Sequence, residues 1–215
     1  MKSYIYGMLA VMMMVSLAFG ADEPGDLKLS KEVAVKALPG FSELVRKQGN
    51  FREMGFESAD EVQKATVGDP LKIFIVRLDH LQKYERGAKP DSLLSDTRQY
   101  LFPLQVNNAV RSSMTVAETR EGWKAVAFGK PTYTQQVSKT RGAGVDTPGA
   151  AAGSFLVKIP SFNLSFLGSR SEQGIMLTPV MNDATFGFKE GVAMPAEKVF
   201  ETVAPAARKH DGLPR

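Results

Sequence analysis

The chain has 215 residues, with 27 Lys plus Arg against 23 Asp plus Glu, two histidines and no cysteine. That length gives one domain or a pair of small ones, and 43% apolar with 23% charged residues is the balance of a globular chain, not a disordered one. Without cysteine there is no disulfide, thiolate zinc site, iron–sulfur cluster or thiol nucleophile, and two histidines cannot build a histidine-rich centre, so no metal or cofactor is expected.

Residues 1–20 have the three-part layout of a secretory signal peptide: Lys2, an apolar run from Ile5 to Leu17, and small residues before a cut between Gly20 and Ala21. The run is shorter than the roughly 20 residues a bilayer span needs, and no later segment is apolar enough to cross. An uncleaved N-terminal anchor is the alternative. Cleavage removes Lys2 alone, so the net charge falls from +4 to +3. The basic pairs Arg46-Lys47 and Arg208-Lys209 stand isolated, and nothing supplies the concentrated basic face that nucleic acid requires. An exported chain without cysteine suits a bacterial periplasm, where packing alone must hold the fold. In that setting the sequon at Asn163-Leu164-Ser165 carries no glycan.

Residues 21–67 read as an N-terminal helical segment. Its polar start is loose, Ser30 caps a short helix that Pro39-Gly40 ends, and a further turn or two carries Phe41, Leu44 and Val45 before Gly49. Ser58-Ala59-Asp60-Glu61 is a capping box opening a helix that reaches about Thr66.

A first α/β unit follows over residues 68–141. Leu71 to Leu81 is apolar on both faces, as in a buried strand, and Tyr100, Phe102, Leu104 and Val106 share one side of another. Ser112 to Thr119 alternates as a half-buried strand, and Glu121-Gly122 turns it into Trp123 to Phe128, with Val126 and Phe128 opposite Trp123. Pro131 opens a short helix carrying Tyr133, Gln136 and Val137. Residues 142–153 are small and featureless, a linker or long loop; the Lys-Ser/Thr ending of a phosphate-cradling glycine loop is missing.

Residues 154–215 form a second unit, with strands at Phe155 to Phe162 and Gly174 to Met181. Pro195 opens a helix that turns Val199, Phe200 and Val203 inward, and Pro205 ends or kinks it. Val76 to Leu81 can be set over Val157 to Phe162, Pro103 over Pro179 and Pro131 over Pro195. Internal duplication explains that order of matches, as does chance similarity of two β-rich halves. The expected fold class is therefore α+β: short N-terminal helices, then two related β-rich units, each closed by a helix.

Catalytic constellations are sparse. His80 follows Asp79 in a strand-like run, where neighbours face opposite ways, so Asp79 cannot orient it. His80 is nonetheless the one candidate base, and His210 sits in the C-terminal tail. No serine occupies a nucleophile elbow or a Ser-x-x-Lys, and the acids Glu118, Glu121, Glu172 and Asp183 fall in loops and strand ends. Asp91, Asp96 and Glu85 lack calcium-loop spacing. Phe162, Phe166, Phe186 and Phe188, with Met176, Met181 and Met194, crowd the second half; they make either a plain core or an adaptable apolar groove for a protein or peptide partner. Pro103 and Pro179 point to edge strands or bulges, where an extended peptide could add.

Through Tyr100-Leu-Phe-Pro103 and Ile175-Met-Leu-Thr-Pro179, about residues 68–210 resemble the Tic import-chaperone family of chloroplasts and its cyanobacterial periplasmic relatives. The resemblance implies a groove for unfolded or extended chains and no catalytic residues. The segment Gly-Trp-Lys-Ala-Val-Ala-Phe-Gly also resembles exported bacterial proteins of unknown function. The expectation is a periplasmic, non-enzymatic binding or chaperone-like protein, with Phe162, Phe166, Met176, Met181, Phe186 and Phe188 lining its groove. The alternatives are a hydrolase or transferase built around His80, and a structural subunit of an envelope complex.

Overall fold

In a computed structural model, residues 24–143, 153–172 and 174–212 are described. The expected signal peptide and most of the Gly/Ala stretch lie outside them. Helix α1 (Pro24–Gln48) is followed by α2 (Ala59–Gln63), β1 (Thr66–Val67), β2 (Leu71–Val76), α3 (Leu78–Gln82) and a 3-10 turn at Pro90–Leu93. Then come β3 (Leu94–Val106), β4 (Ala109–Thr119), β5 (Gly122–Phe128), α4 (Pro131–Ala143), β6 (Phe155–Ile159) and a second 3-10 turn at Pro160–Phe162. The chain closes with β7 (Leu164–Ser171), β8 (Gly174–Pro179), β9 (Met194–Pro195) and α5 (Ala196–Lys209). This is an α+β fold.

One sheet of nine strands runs β5-β4-β3-β2-β6-β7-β8-β9, with β1 also pairing β3. Only its central pair is parallel: β2 lies beside β6, Lys72 opposite Phe155 and Ile75 opposite Lys158. The two sequence units therefore share one sheet. Their packing is also interleaved, because Leu81 of α3 and Tyr84 belong to the same core as Val199, Phe200 and Val203 of α5.

Three apolar clusters follow from strand alternation. On the front face α1 places Ala34, Phe41 and Val45 over Tyr100, Phe102, Leu104, Met114 and Val116. The Phe41 ring stacks on Phe128 at 4.9 Å. On the same face, α5 covers Val157, Ile159, Phe166, Ile175 and Leu177. On the back, α4 lays Val137 and Tyr133 against Leu71, Ile73, Leu101, Leu156 and Leu167.

Several expectations are corrected. Pro39-Gly40 does not end the first helix, and the segment from Pro24 is helical, not loose. An interior proline costs roughly 3 kcal/mol, but buried Ala34 before it and Phe41 and Val45 after it hold both halves of α1 on the sheet. Ser30 is no cap: it is fully buried inside the helix, and its hydroxyl donates to the Leu27 carbonyl at 2.9 Å. Ser58 does cap α2, its Oγ accepting from the Glu61 N–H at 3.2 Å, although the helix stops at Gln63.

The apolar run 71–81 is split: β2 ends at Val76, and Leu78–Gln82 is a helical turn. In β5 the register against β4 shifts between Thr115 and Val116, leaving Val126 as the extra residue of a bulge. The bulge returns Phe128 to the face of Trp123, and both pack with Tyr100 and Phe102, contrary to strict alternation. Strand β7 went unread in the sequence. Pro205 lies inside α5, which runs on to Lys209.

Pro103 sits in an interior strand. An antiparallel residue directs its N and C=O to the same side, and the Pro103 carbonyl accepts from Gly68 N–H at 2.8 Å. Its missing donor thus faces the gap between β1 and β2. Pro179 is the last residue of β8. The two prolines occupy β3 and β8, the second and third long strands of their halves, so the alignment of Pro103 with Pro179 does not join equivalent elements. Pro131 and Pro195 do occupy equivalent places, at the starts of α4 and α5.

Candidate functional site

His80 lies in α3, and its neighbour Asp79 is turned to Arg77, which donates from Nε at 2.9 Å. That hydrogen bond is the main reason the Asp79 carboxyl is held below its usual range. The His80 Nδ1 is buried with no hydrogen-bond partner. A general base needs a partner to orient it, and neither an acid nor a hydroxyl takes that role at Nδ1. His210 ends the α5 segment with its ring edge-on to Phe162 at 5.5 Å. Among the described residues no group of three or more acids and histidines could hold a metal ion.

Four of the six expected groove residues come together. Phe162 meets Phe186 at 5.3 Å, Phe166 meets Phe188 at 5.3 Å, and Phe186 stacks on Phe188 at 5.9 Å. This is interior packing: Phe166 and Phe188 are buried, and Phe162 and Phe186 pack against the α5 core. The other two stand apart. Met176 is opposite Ser169 and Pro195 on neighbouring strands, and Met181 is exposed.

A cleft the sequence did not reveal opens on the front face, where the territories of α1 and α5 meet. It measures about 400 Å³. Its floor is central: Lys72 and Phe74 of β2, Tyr100 of β3 and Phe155 of β6, with Leu27 of α1 at one side. Lys72 is the direct cross-strand partner of both Tyr100 and Phe155, which fixes all three on one face. Arg170 of β7 and Arg141 from the last turn of α4 complete the walls, with Asp69.

Cations and rings alternate here. Lys72 Nζ stands 5.5 Å from the Phe74 ring centre, and the Arg170 guanidinium 5.5 Å from that of Phe155. Phe74 and Phe155 meet edge to face at 5.3 Å. Lys72 pairs with Asp96 at 3.1 Å and Arg170 with Asp91 at 2.6 Å, yet neither acid lines the cleft. Arg141 donates to the Asp69 carbonyl at 3.1 Å; burial pushes its guanidinium down from the usual value, and the nearby Asp69 charge opposes that. The wall therefore carries three cations against one carboxylate.

Lys72 and Phe74 lay inside a run read only as a buried strand, and Arg141 and Arg170 are separated from it by dozens of residues. The one usable signal was a lysine inside the apolar strand Leu71–Val76. Against known proteins the chain stands apart: no family model matches it, and no curated protein or solved structure is significantly similar to it.

Proposed function

We propose that the protein is an exported, non-enzymatic, chaperone-like binding protein, and that the front-face cleft beside the start of α1 holds an extended peptide carrying aromatic and acidic side chains. The observation behind this reading is the alternation of three cations with three aromatic rings across central strands. An aromatic side chain can pack on the partly exposed Phe74 and against the Lys72 and Arg170 side chains, while carboxylates can replace Asp96 and Asp91 as partners of those two cations. The Arg170–Asp91 pair is partly exposed and worth about 1 kcal/mol or less, so exchange at Arg170 costs little. The resemblance to the Tic import-chaperone family implies the same class of partner. Export rests on the layout of residues 1–20, and none of the helices of the described residues is long and apolar enough to cross a membrane. The hydrolase reading has no orienting partner at His80 Nδ1 to support it.

The test is fluorescence anisotropy with labelled peptides in which aromatic residues alternate with aspartate. Binding at roughly micromolar concentration is expected, with a loss of about tenfold or more in the double variant Lys72→Ala, Arg170→Ala. The protein should also lower light scattering from aggregating clients. Equal binding of a lysine-for-aspartate peptide, or no effect on several clients, overturns the proposal.

A further inference from the structure

The back of the sheet carries a second cleft, of about 350 Å³, between the start of α4 and the β6–β7 hairpin. Lys130, Tyr133, Lys158, Asn163 and Ser165 contribute its polar lining. Lys158 and Ser165 are direct cross-strand partners, so their side chains stand together on this face. Lys158 Nζ lies 5.5 Å from the Tyr133 ring centre. No carboxylate lines the cleft, and neither Lys130 nor Lys158 has an acid partner among the described residues.

The cleft offers two ammonium groups, which only donate, beside two hydroxyls and an amide that can donate as well as accept. Each lysine has three N–H groups and no acceptor. The Tyr133 hydroxyl is buried without a hydrogen-bond partner; the Ser165 hydroxyl lies near it without closing a bond and offsets part of the upward push that burial exerts on the phenol. A buried polar atom left unsatisfied calls for an explanation, and a missing ligand is one. Lys130 is exposed and solvated, whereas Lys158 is half-buried and has no acid partner on this face.

We infer that this cleft binds a phosphoryl-type dianion, either free inorganic phosphate or the terminal phosphate of a larger ester, held by Lys130, Lys158 and the hydroxyls of Tyr133 and Ser165. Two cations without acid partners match two negative charges, and the phosphoryl oxygens can accept from the ammonium and hydroxyl groups. The ligand-free site is correspondingly uncomfortable: burial first, and Lys130 second, push the Lys158 ammonium down from its usual value. This site lies on the opposite face from the peptide cleft and does not rest on that reading.

Isothermal titration of the full chain with inorganic phosphate, sulfate and acetate tests the assignment. Phosphate should bind saturably with a Kd of roughly 1 mM or below, and acetate at least about tenfold more weakly. Lys158→Gln should weaken phosphate by about tenfold, and Ser165→Ala, a smaller change that spares the charges, by about threefold. Phosphate should raise the melting temperature of the wild type and not that of a folded Lys158→Gln. A phosphate monoester such as glycerol phosphate separates the sources: tighter binding than phosphate identifies an ester, equal binding the bare ion. Acetate binding as well as phosphate, no saturable phosphate binding up to about ten times the expected Kd, or unchanged affinity in both variants overturns the inference.

Discussion

Gly168→Ala tests the packing that forms the floor of the front cleft. Gly168 lies in β7 directly opposite Phe155 of β6. A Cβ placed on it would stand 2.3 Å from Phe155 Cε2, 2.6 Å from Cζ and 2.8 Å from Cδ2. Carbon atoms pack at about 3.5–4 Å, so the ring must retreat by roughly 1 Å. It cannot do so freely, because it is buried, lies edge-on to Phe74 at 5.3 Å and carries Arg170 over its face. Overpacking of this kind costs about 1–3 kcal/mol. In a chain of this size each kcal/mol lowers the melting temperature by roughly 2–4 °C, so the variant should melt several degrees lower and bind the aromatic–acidic peptide more weakly. Urea unfolding followed by circular dichroism gives the free energy. Phe155→Leu should partly rescue Gly168→Ala, with a coupling of about 1 kcal/mol in a double-mutant cycle. Stability within about 0.5 kcal/mol of wild type, or strictly additive losses, would refute the argument.

Three further outcomes follow from the same reasoning. Phe166→Ala removes a side chain with no exposure and should cost about 3–5 kcal/mol in urea unfolding. Met181→Ala, at 47% exposure, should stay within about 0.5 kcal/mol; comparable losses would contradict the division between core and surface. Pro39→Ala returns the missing N–H to α1 at an exposed position and should stabilise by about 1 kcal/mol or more with increased helical ellipticity, whereas a loss would mean that α1 needs its proline. Burial and Lys130 depress Lys158, so its ammonium penalises the fold in full below the folded pKa, and the penalty fades as pH rises to the ordinary lysine range. Lys158→Met should therefore be more stable than wild type near pH 7, with the advantage shrinking toward about pH 10. Melting curves at the two pH values check this, and a constant difference overturns it.

Elements with clean periodicity were legible in the sequence. Tyr100, Phe102, Leu104 and Val106 point one way in β3, Pro131 and Pro195 open α4 and α5, and Ser58 caps α2. Misreadings arose where tertiary contact outweighs local preference. Pro39 is carried inside α1 because burial on both sides exceeds its cost, and a bulge at Val126 reverses the facing of Phe128. His80 lay in a run whose period did not distinguish a buried strand from a strand followed by a helical turn. Neither cleft was legible. Lys72, Arg141 and Arg170 converge only once β2 pairs with β6, and Lys158 meets Ser165 only through the register of the β6–β7 hairpin.

The same topology explains why a cleft lies at the centre of the front face. Both helices on that face pack mainly on outer strands, α1 over β3–β5 and α5 over β6–β8. Of the parallel pair β2–β6, where the halves join, the C-terminal end lies in the α5 core and the end at Lys72 and Phe155 lines the cleft. On the back, α4 covers the centre, and Leu71, Ile73 and Leu156 can be wholly aliphatic. On the front, Val76, Val157 and Ile159 are buried in the α5 core, and the other end of the pair carries Lys72, whose charge meets Asp96, with the rings of Phe74 and Phe155. Cation–ring alternation is thus what the uncovered seam requires for stability, and it is also what an aromatic, acidic peptide would recognise. The peptide-binding variants separate the two roles: Lys72→Ala with Arg170→Ala should weaken recognition by about tenfold or more, while Arg170→Ala alone removes only a partly exposed ion pair from the fold.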